Sequence, residues 1–185
     1  MICANHLTLV DSFLIAWALG SAGWYVRHYA ALPWNLPERT NFAVSLGQRT
    51  LTYVMKCLPI TRGGNRADVA RVLAEFAFVV SQGDVGLLFP EGGRSRTGRV
   101  DVDAAAVGVG RIIRSLPDCR VLCVYMRGHG QSAFSDYPAR GERFHVALEL
   151  IRPETPHDGL RGSRDVSRQV LGVLARMEQR YFDAR

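Results

Sequence analysis

Lysine is almost missing from this chain: Lys56 is the only one, and every other fixed cation is arginine. No Cys-x-x-Cys pair occurs among the four cysteines, Cys3, Cys57, Cys119 and Cys123. Cys119 and Cys123 flank or lie in an apparent strand, where four residues span about 13 Å, too far to share one metal ion easily. That spacing argues against a disulfide framework or a cysteine-built metal site, and buried, reduced thiols of a cytosolic protein are expected. No apolar run reaches the roughly 20 residues of a spanning helix. The longest, Phe13 to Val26, is interrupted by Ser21 and is expected in a core or at a membrane interface. The first residues lack the basic segment that opens a secretion signal. Internal repeats, low-complexity tracts and linkers are also missing. No nucleic-acid-binding motif matches, and the arginines are scattered rather than gathered in a stripe, so no nucleic-acid partner is expected.

What remains is a chain of 185 residues, 48% hydrophobic and 22% charged, with a net charge of +6 and a pI near 9.5. These values suit one globular domain over residues 1–185 and an anionic partner.

The most informative stretch is Val85 to Arg99. Val85 to Phe89 is a short apolar run between Gly83 and Pro90, which reads as a buried strand ended by proline. Glu91, Gly92, Gly93, Arg94, Ser95 and Arg96 follow at once. In α/β folds ligands sit just beyond the carboxyl ends of strands. The glycines allow close approach of backbone to a ligand, and Arg94 and Arg96 carry forks suited to phosphate oxygens. The stretch therefore reads either as an anion-binding loop or as a basic surface turn.

Met1 to Ala4 reads as a strand, and Phe13 to Trp17 as a helix apolar on all sides and hence buried. His6 and Asp11 lie at their junction. A carboxylate on one ring nitrogen of His6 would leave the other facing a cleft, as a general base requires. The plainer reading is a turn histidine beside a helix-capping aspartate. Gly20 to Pro37 reads as a helix end and an aromatic-rich loop, and Asn41 to Lys56 as a helix. Leu58 to Arg62 reads as a short strand that places Arg62 at a second strand end. Ala67 to Val80 is an amphipathic helix, completing a strand–helix–strand pattern with the Val85 run. Ala104 to Leu116 reads as a helix whose Gly108 and Gly110 mark close packing against a strand or ligand. Arg120 to Tyr125 is a strand leading to His129, a second candidate base. Phe144 to Ile151 alternates as a half-buried strand with its apolar side inward. Ser163 to Tyr181 is a helix that Ser163 can cap. The expected fold is a single α/β domain with a largely parallel or mixed sheet flanked by helices.

Taken together, Asn5-His6 with Asp11, Ile60 with Arg62, Phe89-Pro90-Glu91-Gly92 with Arg94-Ser95-Arg96, and the strand Val121 to Tyr125 occur in an order that resembles the glycerolipid acyltransferase family. That family includes bacterial 1-acylglycerol-3-phosphate acyltransferases. The resemblance runs from about Ala4 to Gly128. It implies O-acyl transfer in phospholipid synthesis, with His6 as base and Asp11 orienting it. The acceptor site would map onto Arg62, Glu91, Gly92, Gly93, Arg94, Ser95 and Arg96. The donor would be acyl-CoA or acyl carrier protein, and no metal or other cofactor is implied. The partners implied are a lipid acceptor, an acyl thioester and, peripherally, the cytoplasmic face of a membrane. A non-phosphate acceptor such as a lyso-ornithine lipid, or a non-catalytic lipid-binding module of the same fold, are the alternatives. Three departures stand out. Gly93 replaces a common threonine, Cys123 replaces a common proline, and the chain starts almost at His6, so an upstream segment is expected to be missing.

Overall fold

The computed structural model describes residues 1–39, 46–61 and 63–185. Its centre is a mixed sheet of four strands: β1 (Ile2–Ala4), β2 (Leu87–Leu88), β3 (Val121–Gly128) and β4 (Phe144–Ile151), in the spatial order β2-β1-β3-β4. β1 runs parallel to β2 and to β3, with Cys3 opposite both Leu88 and Cys123, whereas β4 is antiparallel to β3. The α/β expectation holds. The helices are α1 (Asp11–Leu19), α2 (Ala22–Arg27), α3 (Leu46–Val54), α4 (Arg66–Ser81), α5 (Val107–Ser115) and α6 (Gly159–Asp183).

Alternation along the strands divides the core in two. Cys3, Leu88, Val121, Cys123 and Tyr125 face α5, α6 and the buried side of α4, where Val72 and Phe76 enter. Ile2, Ala4, Leu87, Val124 and Met126 point the other way, onto Ile15 of α1. α4 starts where Asn65 accepts the amide of Ala67 at 2.8 Å, a side-chain cap.

Several expectations need correction. Leu58 to Arg62 is not a strand among the described residues: Cys57 and Ile60 form only isolated bridges to Asn35 and Glu38, and Trp34 bridges Gly86. The loop from Gly20 to Pro37 thus contains α2 and also supplies the edge beside β2. The lone lysine pins it there. Lys56 is buried, with Nζ 3.0 Å from Asp84 Oδ2 and over the rings of Tyr29 and Trp34, while Trp34 Nε1 donates to the same oxygen at 2.5 Å. α1 is not enclosed. Only Ile15 among its apolar residues is buried, and Trp17 is 75% exposed. β4 presents its polar side to α6, where Glu149 pairs with Arg176 and Arg180, and His145 lies 5.0 Å from the Tyr181 ring. Its apolar side, Val146, Leu148 and Leu150, is exposed, because those residues share the α1 side of the sheet and only Phe144 on that side packs into the α1 cluster. α6 begins at Gly159 after Asp158, so Ser163 lies inside the helix, its hydroxyl bonded to the Gly159 carbonyl at 3.1 Å, and does not cap it.

Gly110 packs against a helix rather than a strand or ligand. A Cβ there would lie 1.8 Å from the Ser163 carbonyl oxygen, whereas one on Gly108 would meet only Leu73 Cδ1, at 3.6 Å. Gly110→Ala is therefore expected to cost about 3 kcal/mol through forced separation of α5 and α6. Gly108→Ala should be neutral or stabilising by up to about 1 kcal/mol through helix propensity. Urea unfolding of the two variants checks the contrast; equal midpoints would contradict it.

Candidate functional site

The site begins where β1 runs out. Asn5 turns its amide onto β3, donating to the Met126 carbonyl at 2.9 Å and accepting its N–H at 2.8 Å. The side chain thereby continues the ladder while the backbone leaves the sheet, which fixes the position of His6. His6 is buried, and its ring stacks on Phe89 with centroids 4.0 Å apart and planes 14° from parallel.

Asp11, the first residue of α1, folds back onto the turn before it. Its Oδ2 receives His6 Nδ1 at 3.0 Å, the Leu7 amide at 2.5 Å and the Thr8 amide at 2.8 Å, and its Oδ1 receives the Thr8 hydroxyl at 2.6 Å. A carboxylate surrounded by donors accepts, so Nδ1 carries the ring proton. Nε2 then presents a lone pair, and it has no hydrogen-bond partner among the described residues. A lone pair held in this way is what a general base requires, and Asp11 satisfies the turn rather than capping its helix.

The Glu91–Arg96 loop passes directly beneath. The Ser95 amide donates to the His6 carbonyl at 2.8 Å. Glu91 accepts the Ser95 hydroxyl at 2.6 Å and the Asp101 amide at 3.1 Å. Burial pushes the Glu91 carboxyl up from its ordinary range, and the Ser95 hydroxyl and Asp101 N–H partly offset this. Glu91 and Ser95 thus hold the shape of the loop. Gly92 has φ +70°, the left-handed region glycine tolerates, and a Cβ on it would meet Ala106 Cβ at 3.3 Å. The amides of Gly93 and Arg94 have no partner among the described residues, and unpaired loop amides of this sort can serve an anion.

Arg94 reaches sideways to the segment after β3, donating to Asp136 Oδ1 at 2.7 Å and Ser135 O at 3.4 Å, with Phe134 beneath it. The same segment clasps the His6 turn: Ser135 N donates to Leu7 O at 2.9 Å, and Leu9 N to Asp136 O at 3.1 Å. Arg96 is exposed and has no partner among the described residues. Arg62 lies outside the described residues. His129 is exposed beyond β3, and His145 faces α6. Beside Gly92 opens an apolar cavity of about 180 Å³, lined among others by Leu36, Ile60, Leu73, Phe89, Val109 and Ile112. Among the described residues no group of His, Cys, Asp or Glu is placed to hold a metal ion.

Sequence reasoning missed Thr8, Phe89 as the ring beneath His6, and Asp136. Thr8 had a local signal, three residues before Asp11. Asp136 had none, since 42 residues separate it from Arg94.

A family model described as Acyltransferase matches residues 1–127. No curated protein matches the chain. Among solved structures it is similar to the crystal structure of the 1-acyl-sn-glycerophosphate (LPA) acyltransferase PlsC from Thermotoga maritima, with 20% sequence identity and a TM-score of 0.58. The match covers 100% of this chain and 66% of that one, and at such identity it speaks for the fold alone.

The hydrogen bonds order the two site residues by their structural weight. Asp11→Ala strands the buried amides of Leu7 and Thr8 and is expected to cost about 3 kcal/mol or more. His6→Ala removes one hydrogen bond and one ring stack and should cost about 1 kcal/mol. Denaturant unfolding of the two variants reads the difference, and a His6→Ala protein less stable than Asp11→Ala would contradict it.

Proposed function

Because the chain belongs to the acyltransferase family, we propose that it transfers a fatty acyl group from acyl-CoA or acyl carrier protein to the hydroxyl of a lysophosphatidic-acid-like acceptor, in phospholipid synthesis. The observation that carries this is His6, proton on Nδ1 against Asp11 and Nε2 free, set beside a loop of open amides and arginines. His6 Nε2 takes the acceptor's hydroxyl proton as that oxygen attacks the thioester carbonyl. Asp11 stabilises the imidazolium. Collapse of the tetrahedral adduct breaks the C–S bond, and the departing thiolate takes the proton back from Nε2. The protein forms no covalent bond to the acyl group.

Each surrounding feature has a place in this scheme. The acceptor's phosphate meets the amides of Gly93 and Arg94, the Arg94 fork and Arg96, with Arg62 as a further proposed contact. Glu91, Gly92 and Ser95 shape that cradle. The apolar cavity beside Gly92 suits a stretch of acyl chain. One observation favours a second reading: Asp136 already compensates Arg94, which lowers its attraction for a dianion and suits a non-phosphate acceptor such as a lyso-ornithine lipid.

We also propose that the protein works peripherally on the cytoplasmic face of a membrane. Phe13, Trp17, Trp24 and Val26 are exposed, and the only formal charge between Ser12 and Pro37 is Arg27. No helix among the described residues is long and apolar enough to cross a membrane.

In a transfer assay, His6→Ala is expected to lose about 10²–10⁴-fold in rate while keeping its circular dichroism. Arg94→Ala should raise the KM for a phosphate-bearing acceptor and leave that for the donor unchanged, and Arg94→Lys should not restore it, because an ammonium cannot reproduce the fork. Near-normal turnover of a folded His6→Ala protein would overturn the mechanism. Preference for a neutral acceptor would move the assignment to the second reading.

Sedimentation with vesicles tests the membrane reading. The protein should bind phosphatidylglycerol-rich vesicles at low salt, release as salt rises, and bind several-fold less well as Phe13→Ser/Trp17→Ser. No sedimentation of the unaltered protein with those vesicles would contradict it.

A further inference from the structure

The end of β3 carries an arginine that no motif predicted. Arg127 is 2% exposed, and all three nitrogens of its fork donate hydrogen bonds. Nη1 donates to the Gly98 carbonyl at 2.5 Å, Nε and Nη2 donate to the Gln131 carbonyl at 3.1 and 2.8 Å, and Nη2 also to the Ser132 carbonyl at 3.4 Å. Its counter-charge comes from α6: Glu178, 6% exposed, has Oε1 3.6 Å from Nη1. The same carboxylate accepts the Val100 amide at 3.1 Å and the Tyr125 hydroxyl at 3.4 Å. One helical turn on, the Phe182 ring lies 3.5 Å from the Arg99 guanidinium and 4.9 Å from that of Arg127.

The three carbonyls that Arg127 grips belong to the two loops that hold the candidate site. Upstream of Gly98, Ser95 is bonded to the His6 carbonyl. Downstream of Gln131, Ser135 and Asp136 clasp Leu7, Leu9 and Arg94. The loops touch directly: a Cβ on Gly98 (φ +70°) would come within 2.6 Å of the Ser132 carbonyl oxygen. A buried ion pair is a poor route to stability, since apolar side chains of similar volume serve as well. What it adds is direction. Four N–H bonds aimed at three carbonyls fix the separation of the loops, and Glu178 makes it possible to keep that fork charged and buried.

We propose that Arg127 and Glu178 are positioning residues for the acceptor site, Glu178 acting through Arg127 to hold the Glu91–Arg96 loop against the segment carrying Asp136. This rests on the acyltransferase reading above. Glu178 and Phe182 lie outside the segment the family model matches, so the C-terminal helix would set acceptor recognition from beneath the loops.

The test uses the full chain with Glu178→Gln, which retains length and acceptor oxygen but not charge, and Arg127→Lys, which retains charge but not the fork. Each is expected to raise the KM for a lysophosphatidic-acid acceptor about tenfold, with the donor KM unchanged. The double variant should be no worse than the poorer single, because one residue works through the other. Amide hydrogen exchange supplies a readout that needs no turnover: residues 92–100 and 131–136 should exchange faster in both variants, while the α5–α6 contact at Gly110 keeps its protection. Should either variant fail to fold, Phe182→Leu removes the ring beneath both guanidiniums and should shift the same two readouts in the same direction. Unchanged exchange and unchanged acceptor KM in folded variants would overturn the proposal. So would a parallel loss for both substrates with exchange raised throughout, which marks general destabilisation. Clamp-dependent exchange in a wild-type protein that acylates no acceptor would instead refute the acyltransferase reading and leave the loop clamp standing.

Discussion

The Asp11 carboxylate is the constraint on which the site depends. In seven residues the chain must leave a parallel strand, reverse, and enter a helix, and the turn between exposes amides that the sheet and helix cannot use. Asp11 takes two of them, at Leu7 and Thr8, together with the Thr8 hydroxyl and the His6 ring. Folding the turn and setting the tautomer are therefore one event. The histidine keeps Nε2 unpaired because the group that stabilises the turn is also the group that holds its proton on Nδ1. A burial of this kind is tolerable only when every lone pair is met, and here four donors meet it.

Around that turn the sheet does little more than supply anchor points. β1 is three residues and β2 two, so their ladders alone would hold the loops weakly. The missing restraint comes from side chains that behave as pieces of backbone. Asn5 completes the pairing of Met126, Glu91 ties Ser95 to Asp101, and Arg127 joins the carbonyls of Gly98 and Gln131. Each replaces a ladder bond that a loop cannot make. The result is a histidine held from below by Phe89, from one side by the Ser95 amide and from the other by the Ser135–Asp136 segment.

Much of this was legible in the chain itself. The His6–Asp11 spacing, the proline after Phe89, the two glycines and the Arg94-Ser95-Arg96 run are local, and their chemistry acts over a few residues, so order along the chain was enough to read them. The amphipathic repeat of α4 and α6 was likewise local. Two of the errors share a cause. Phe13 and Trp17 were expected inside because their helix is apolar all round, yet periodicity shows only which residues share a face and not whether anything covers it. β4 was expected apolar side inward for the same reason, but α6 brought arginines to its other side and paired them with Glu149.

The local sequence thus determined which groups make up the candidate site: an imidazole, the carboxylate that holds it, and a glycine-bearing basic loop after a buried strand. Only the tertiary structure decided how those groups are held and what each can still offer. Arg94 reads as a free cation until Asp136 arrives from 42 residues away, and Arg127 reads as the end of a strand until Glu178 arrives from another helix. The physical reason is that residue type and spacing specify what a side chain can bond to, whereas burial and pairing depend on which distant elements pack beside it.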